Sequence, residues 1–106
     1  MSNHNPDKWC LVEFTTAEGE KLMKVFGGWY GGYLGSDSWR INSGIVKTVR
    51  DGDYIHFHGT TGSVYTCHKN AYGMTGLMVD IFGQFPASIS SRILNEEQAR
   101  EYYDQK

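Results

Sequence analysis

The stretch from Ile45 to His68 constrains this chain most. Alternating apolar and polar residues flank Asp51-Gly52, and a further alternating run follows Thr60-Thr61. Asp-Gly between alternating runs is a strong hairpin signal, because a type I′ turn asks for positive φ at both central residues. The pattern predicts a strand over 39–50, a turn at Asp51-Gly52, a returning strand over 53–59, a tight turn at Thr60-Thr61 and a third strand over 62–68. These strands form an antiparallel meander. Its register pairs Val49 with Tyr54, Lys47 with His56 and Ile45 with His58. Across the second turn it pairs His58 with Ser63, His56 with Tyr65 and Tyr54 with Cys67. One face then carries Val46, Thr48, Ile55, Phe57, Val64 and Thr66 toward the core. The other carries Ile45, Lys47, Val49, Tyr54, His56, His58, Ser63, Tyr65 and Cys67.

Around this meander the remaining elements are shorter. Residues 8–15 alternate as a strand with Cys10, Val12 and Phe14 on one face. Trp9 and Leu11 occupy the other, so this strand is expected to be covered on both sides. Residues 21–26 read as its hairpin partner across the turn residues at 16–19. Residues 77–82 read as a strand with Leu77, Val79 and Ile81 inward. Asn95 and Gln98 form a capping-box pattern behind Leu94. Glu96 and Glu97 follow where a helix N-terminus favours negative charge. This predicts a helix to about residue 104 that buries Ala99, Tyr102 and Tyr103.

Between 26 and 39 large rings alternate with glycine pairs: Phe26-Gly27-Gly28-Trp29-Tyr30-Gly31-Gly32-Tyr33-Leu34-Gly35 and onward to Trp39. Glycine weakens a regular element, while aromatic rings supply contact area at low entropic cost. The segment is therefore expected to be a loop that displays Trp29, Tyr30 and Tyr33. Thirteen glycines and a 14% aromatic share set this chain apart from average composition and exclude disorder. The net charge of −2 and the scattered Lys and Arg speak against duplex nucleic acid.

The residues capable of chemistry are few. His56 and His58 share a strand face with Cys67 in the expected register, a set that could hold zinc. Lys47 beside His56 opposes a dication, and no carboxylate arrives at ligand spacing. Asp53 opposite His68 makes a cross-strand ion pair. Tyr54, His56 and Tyr65 on one face offer a stacking platform for single-stranded nucleic acid. No phosphate-binding glycine motif or nucleophile elbow occurs. The two cysteines, Cys10 and Cys67, read as free buried thiols.

The expectation is one α+β domain over 8–106 behind a flexible 1–7 leader, with no signal peptide and no membrane span. Its architecture is a mostly antiparallel twisted sheet or small open barrel of five to six strands with one C-terminal helix. Its function is a cytoplasmic, non-enzymatic interaction module without cofactor or metal, which binds a protein partner through Trp29, Tyr30 and Tyr33, with Tyr54, His56 and Tyr65 next. Single-stranded nucleic-acid binding, disfavoured by net charge, and a metalloenzyme using His56, His58 and Cys67 are the alternatives. The partner's identity and the oligomeric state are left open.

Overall fold

The structure, a computed structural model, describes residues 3–31, 36–86 and 89–105. Among these the order of elements is β1 (Asn3–His4), β2 (Lys8–Thr15), β3 (Lys21–Trp29), β4 (Ser38–Ile41), β5 (Ile45–Asp51), β6 (Tyr54–Gly59) and β7 (Val64–His68). A 3-10 turn (Lys69–Ala71), α1 (Gly76–Phe82), β8 (Ser90–Ile93) and α2 (Glu96–Asp104) complete it. The α+β class, the mostly antiparallel pairing and the C-terminal helix are as expected. The strands, however, divide between two four-stranded sheets, β1-β7-β6-β5 and β4-β3-β2-β8, and no barrel closes among the described residues.

The two sheets meet over one core. Trp9, Leu11 and Val25 from the second sheet pack with Ile55, Phe57, Tyr65 and Cys67 from the first, and α2 adds Ala99 and Tyr103. Trp9 anchors this layer. Its ring centroid lies 5.5 Å from that of Phe57, and its Nε1 donates to the His68 carbonyl at 2.7 Å. On the far side of β2, Cys10, Val12 and Phe26 meet Met78 of α1 in a second core. The two-sided burial expected of β2 therefore holds.

Four local expectations give way, each for a physical reason. The first concerns the long strand over 39–50. It is broken at Asn42-Ser43-Gly44, where Gly44 takes φ +129° and the chain crosses from one sheet to the other. The second concerns the Asp51-Gly52 turn. The loop residues are Gly52 and Asp53, with Asp51 paired to Tyr54. Gly52 takes φ +61°, whereas Asp53 does not enter the positive region. That is the demand of a type II′ turn, with glycine first. Partners shift by two residues, so Val49 meets His56 and Lys47 meets His58. The faces of β5 and β6 survive from Lys47 on, whereas a bulge at Val46 leaves this side chain 64% exposed and packs Ile45, expected on the outer face, against the core.

The third correction has larger consequences. The next loop holds three residues, Thr60, Thr61 and Gly62, between Gly59 and Ser63. The Gly59 N–H donates to the Ser63 carbonyl at 2.8 Å, and the Gly62 N–H donates back to the Gly59 carbonyl. Gly62 sits at φ +91°, the left-handed residue that follows a turn in three-residue hairpins. One extra residue inverts β7. Tyr65 and Cys67 face the core, and Val64 and Thr66 face outward beside His58 and His56. The fourth correction is α1, expected as a strand. Thr75 caps it, its Oγ1 accepting from the Met78 N–H at 3.2 Å. Met78, Ile81 and Phe82, at helical spacing, reach the second core.

The 1–7 segment, read from its polarity as a flexible leader, belongs to the fold from Asn3 on. β1 pairs in parallel with β7, Pro6 is buried, and the Asp7 N–H donates to the Gly28 carbonyl at 2.9 Å. The helix at the C-terminus carries the expected capping box, with Asn95 Oδ1 accepting from the Gln98 N–H at 2.8 Å and Gln98 Oε1 accepting in return. No helix among the described residues is long and apolar enough to cross a membrane.

Candidate functional site

The glycine–aromatic segment is not a free loop at its start. Gly27 and Gly28 lie within β3, and both are buried. A Cβ on Gly28 would lie 2.5 Å from Met78 Sδ, and one on Gly27 would lie 3.0 Å from Pro6 Cβ. These glycines serve close packing instead of motion. Trp29 ends the strand half-buried, its Nε1 donating to the Asn5 carbonyl at 2.9 Å. Tyr30 is 54% exposed, while its backbone N–H donates to Asp7 Oδ2 at 2.9 Å. Tyr33 lies outside the described residues.

The other expected site residues separate. Tyr54, His56 and His58 share the outer face of their sheet with His68 and Thr66. Tyr65 and Cys67 lie on the inner face, so neither the stacking platform of Tyr54 with Tyr65 nor the metal set of His56, His58 and Cys67 converges. No group of three or more His, Cys, Asp or Glu side chains suited to a metal occurs among the described residues. Asp53 pairs with Lys69 at 3.2 Å instead of with His68, whose ring meets Tyr54 edge-on at 5.0 Å. On this outer face Asp51 Oδ2 lies 3.2 Å from His56 Nε2, and His56 Nδ1 lies 2.9 Å from Thr66 Oγ1. The order carboxylate, imidazole, hydroxyl is that of a nucleophilic triad. Thr66 Oγ1, however, also donates to Asn3 Oδ1 at 3.2 Å, and the chain of bonds ties the two-residue β1 to its sheet.

A different assembly forms where the edges of the two sheets approach. In β4, Arg40 pairs with Gly27, on the same side of its sheet as Trp9, and so points toward the other sheet. From there β1 presents His4, paired with Tyr65. The His4 ring centroid lies 4.8 Å from Tyr65 and 6.3 Å from Trp29. Two clefts of about 410 and 400 Å³ open at this corner and share His4 and Arg40. Trp29, Ser38 and Asn5 help to line one, and Asn42, Ser63 and Tyr65 the other, with no carboxylate among the described lining residues of either. Burial, reinforced by the Arg40 guanidinium, holds the His4 imidazole below its ordinary range. Burial pushes the Tyr65 phenol up, and Arg40 opposes that rise.

Asn42 forms the bottom of this corner. Its Oδ1 accepts from the Val25 N–H at 2.9 Å, and its own N–H donates to the Val25 carbonyl at 3.0 Å, which extends the ladder one residue past β4. Its amide orientation is thereby fixed. Its Nδ2, in a residue only 4% exposed, has no partner among the described residues. An unpaired buried donor costs about 1–3 kcal/mol, so its retention calls for an explanation. Trp39, on the other face of β4, stands edge-on to Phe26 at 5.8 Å and remains 37% exposed.

Sequence reasoning missed Arg40, Asn42 and His4. His4 fell in the expected leader, and Arg40 and Asn42 fell inside a strand expected to be continuous. The legible signal was Asn42-Ser43-Gly44, a turn-forming triplet that marks where the long strand breaks. Comparisons with protein-family models, with curated proteins and with solved structures find no match to this chain.

Proposed function

We propose that this chain is a non-enzymatic binding module that receives a protein partner along β4 and the aromatic end of β3. The observation that carries the reading is the exposure of Tyr30 and Trp39 beside a strand whose outer edge pairs with no other strand among the described residues. Tyr and Trp are the residue types most enriched at interface hot spots, and a free strand edge offers backbone donors and acceptors to an extended segment. The rigid two-sheet scaffold lowers the ordering cost of such binding. The state of the thiols argues against a cysteine nucleophile. Cys10 and Cys67 are free but buried, and burial pushes Cys10 up to about 12, far from a reactive thiolate at neutral pH. Two unpaired thiols also suit a reducing, cytoplasmic setting.

The test is affinity capture from the native host with the wild-type chain, with Tyr30→Ala/Trp39→Ala, and with Val79→Ala as a remote exposed control. Circular dichroism confirms folding of each. The reading expects the double variant to lose a partner that the control retains, with affinity reduced at least about thirtyfold for a hot-spot pair. Retention of every captured protein by the folded double variant would refute it.

A further inference from the structure

The chain's other arginines all have carboxylate partners: Arg50 with Asp104, Arg92 with Glu13 and Arg100 with Glu96. Arg40 has none among the described residues, although acidic side chains outnumber basic ones in this sequence. It stands between two clefts whose described linings hold amides, hydroxyls and an imidazole but no carboxylate. The Asn42 Nδ2, sealed inside the wall, has no acceptor among the described residues. The Tyr65 hydroxyl makes no hydrogen bond to any described side chain or backbone group. The Asp37 carboxylate beside one cleft is taken up by the Gly31 N–H at 2.8 Å. An unpaired guanidinium at an opening whose described lining holds donors and no carboxylate can receive an oxyanion, which it can grip through two parallel N–H donors.

The charge at this corner decides which oxyanion. Lys24 borders one cleft, but its ammonium lies 5.4 Å from the Phe14 ring centroid, over the second core. His4 is kept toward its neutral form. Arg40 is therefore the one full cation common to both clefts among the described residues. It matches the single charge of a carboxylate and leaves a phosphoryl dianion half-compensated in a chain already at −2. We infer that the β1–β4 corner is a carboxylate-binding site, and that its occupant is an aspartate or glutamate side chain of an extended segment paired on β4. The occupant's identity rests on the protein-binding reading above. The affinity of Arg40 for a carboxylate does not.

The experiment follows the Arg40 Nε–H and the β4 backbone amides by NMR in the ¹⁵N-labelled protein. The probes are a β-prone peptide Ac-Thr-Val-Glu-Val-Thr-NH₂, its Gln counterpart, sodium phosphate and oligothymidylate. The inference expects the Glu peptide to shift Arg40 together with the amides of Ser38–Ile41, and the Gln peptide to bind about ten- to hundredfold more weakly. Arg40→Gln, at an exposed position, removes that difference while leaving the fold intact. Four results overturn it: no probe shifts Arg40, phosphate shifts it and the peptide does not, oligothymidylate competes more strongly than the peptide, or both peptides bind equally. Loss of partner capture in Tyr30→Ala/Trp39→Ala with no carboxylate preference at Arg40 would sink this inference alone. A carboxylate preference at Arg40 with capture unchanged in that variant would sink the protein-binding reading instead.

Discussion

Gly28→Ala separates two physical accounts of the glycine pair in β3. If Gly28 were there to loosen the chain, alanine would stabilise the fold. Its φ does not lie in the left-handed region, so alanine fits the backbone, and the reduced freedom of the unfolded chain contributes about 0.4–1 kcal/mol. The packing account gives the opposite sign. The added methyl would lie 2.5 Å from Met78 Sδ, 2.9 Å from Met78 Cγ and 3.1 Å from Thr75 Cγ2. Met78 and Thr75 are both fully buried, and Met78 Sδ also accepts from the Thr75 N–H at 3.3 Å. A thioether normally yields to pressure at its tip, but here the Cγ and the cap residue are pressed as well. Overpacking of this kind costs about 1–3 kcal/mol. The net expectation is a loss of about 1–2 kcal/mol, or about 4–8 °C in Tm for each kcal/mol.

The assay is urea unfolding followed by far-UV circular dichroism and by the fluorescence of the tryptophans, including the sealed Trp9. Met78→Ala supplies the second arm. On its own it removes a buried side chain at a cost of about 2–5 kcal/mol. In that background Gly28→Ala meets open space on one side and becomes neutral or mildly stabilising. The two substitutions are thus coupled by about 1–3 kcal/mol. A stabilising Gly28→Ala in the wild-type background refutes the packing account and restores the flexible-loop reading of the segment, and the same cost in both backgrounds refutes packing against Met78.

Two further outcomes follow from the core and the cap. Burial raises the Cys10 thiol from 9.0 to about 12 and also pushes Cys67 well up. An acid with its folded value raised contributes stability that is complete below pH 9.0 and is lost as pH climbs toward the folded value. Cys10 alone accounts for a loss of about 2 kcal/mol by about pH 10.5. Cys10→Ala flattens this alkaline slope in pH-dependent urea unfolding, and an unchanged slope contradicts the assignment. Asn95→Ala removes the side-chain acceptor for the Gln98 N–H and destabilises by about 1 kcal/mol, measurable as a lower urea midpoint with unchanged m; no shift would mean the helix end does not depend on its capping box.

Where structure was legible in the sequence, the deciding interactions were local. The capping box of α2 lies within four residues, and its buried Ala99 and Tyr103 repeat at helical spacing. The two-sided burial of β2 is written in the consecutive apolar residues Trp9, Cys10, Leu11 and Val12. Residues 77–82 are short enough to fit both periods. Leu77, Val79 and Ile81 suit a strand, while Met78, Ile81 and Phe82 suit a helix, and the Thr75 cap favours the helix. The glycine pair misled because its partners, Pro6 and Met78, are distant in sequence. Propensity describes what glycine allows the backbone to do, not what crowds it.

The corner site lay beyond such reasoning because it depends on the length of one loop. With two residues between β6 and β7, Tyr65 would face outward with His56, and Val64 and Thr66 would face the core. The third residue, Gly62 at φ +91°, turns Tyr65 inward against His4. That contact helps to fix β1 at the sheet edge, where His4 comes within reach of Arg40. A non-glycine residue at 62 would strain the left-handed position, and relief by a two-residue turn would invert β7. Trp29 and Arg40 would remain on their own sheet, but the wall facing them would lose its phenol and its imidazole. The oxyanion chemistry proposed for Arg40 therefore depends on a backbone angle across the cleft from it, in a segment with no charge of its own.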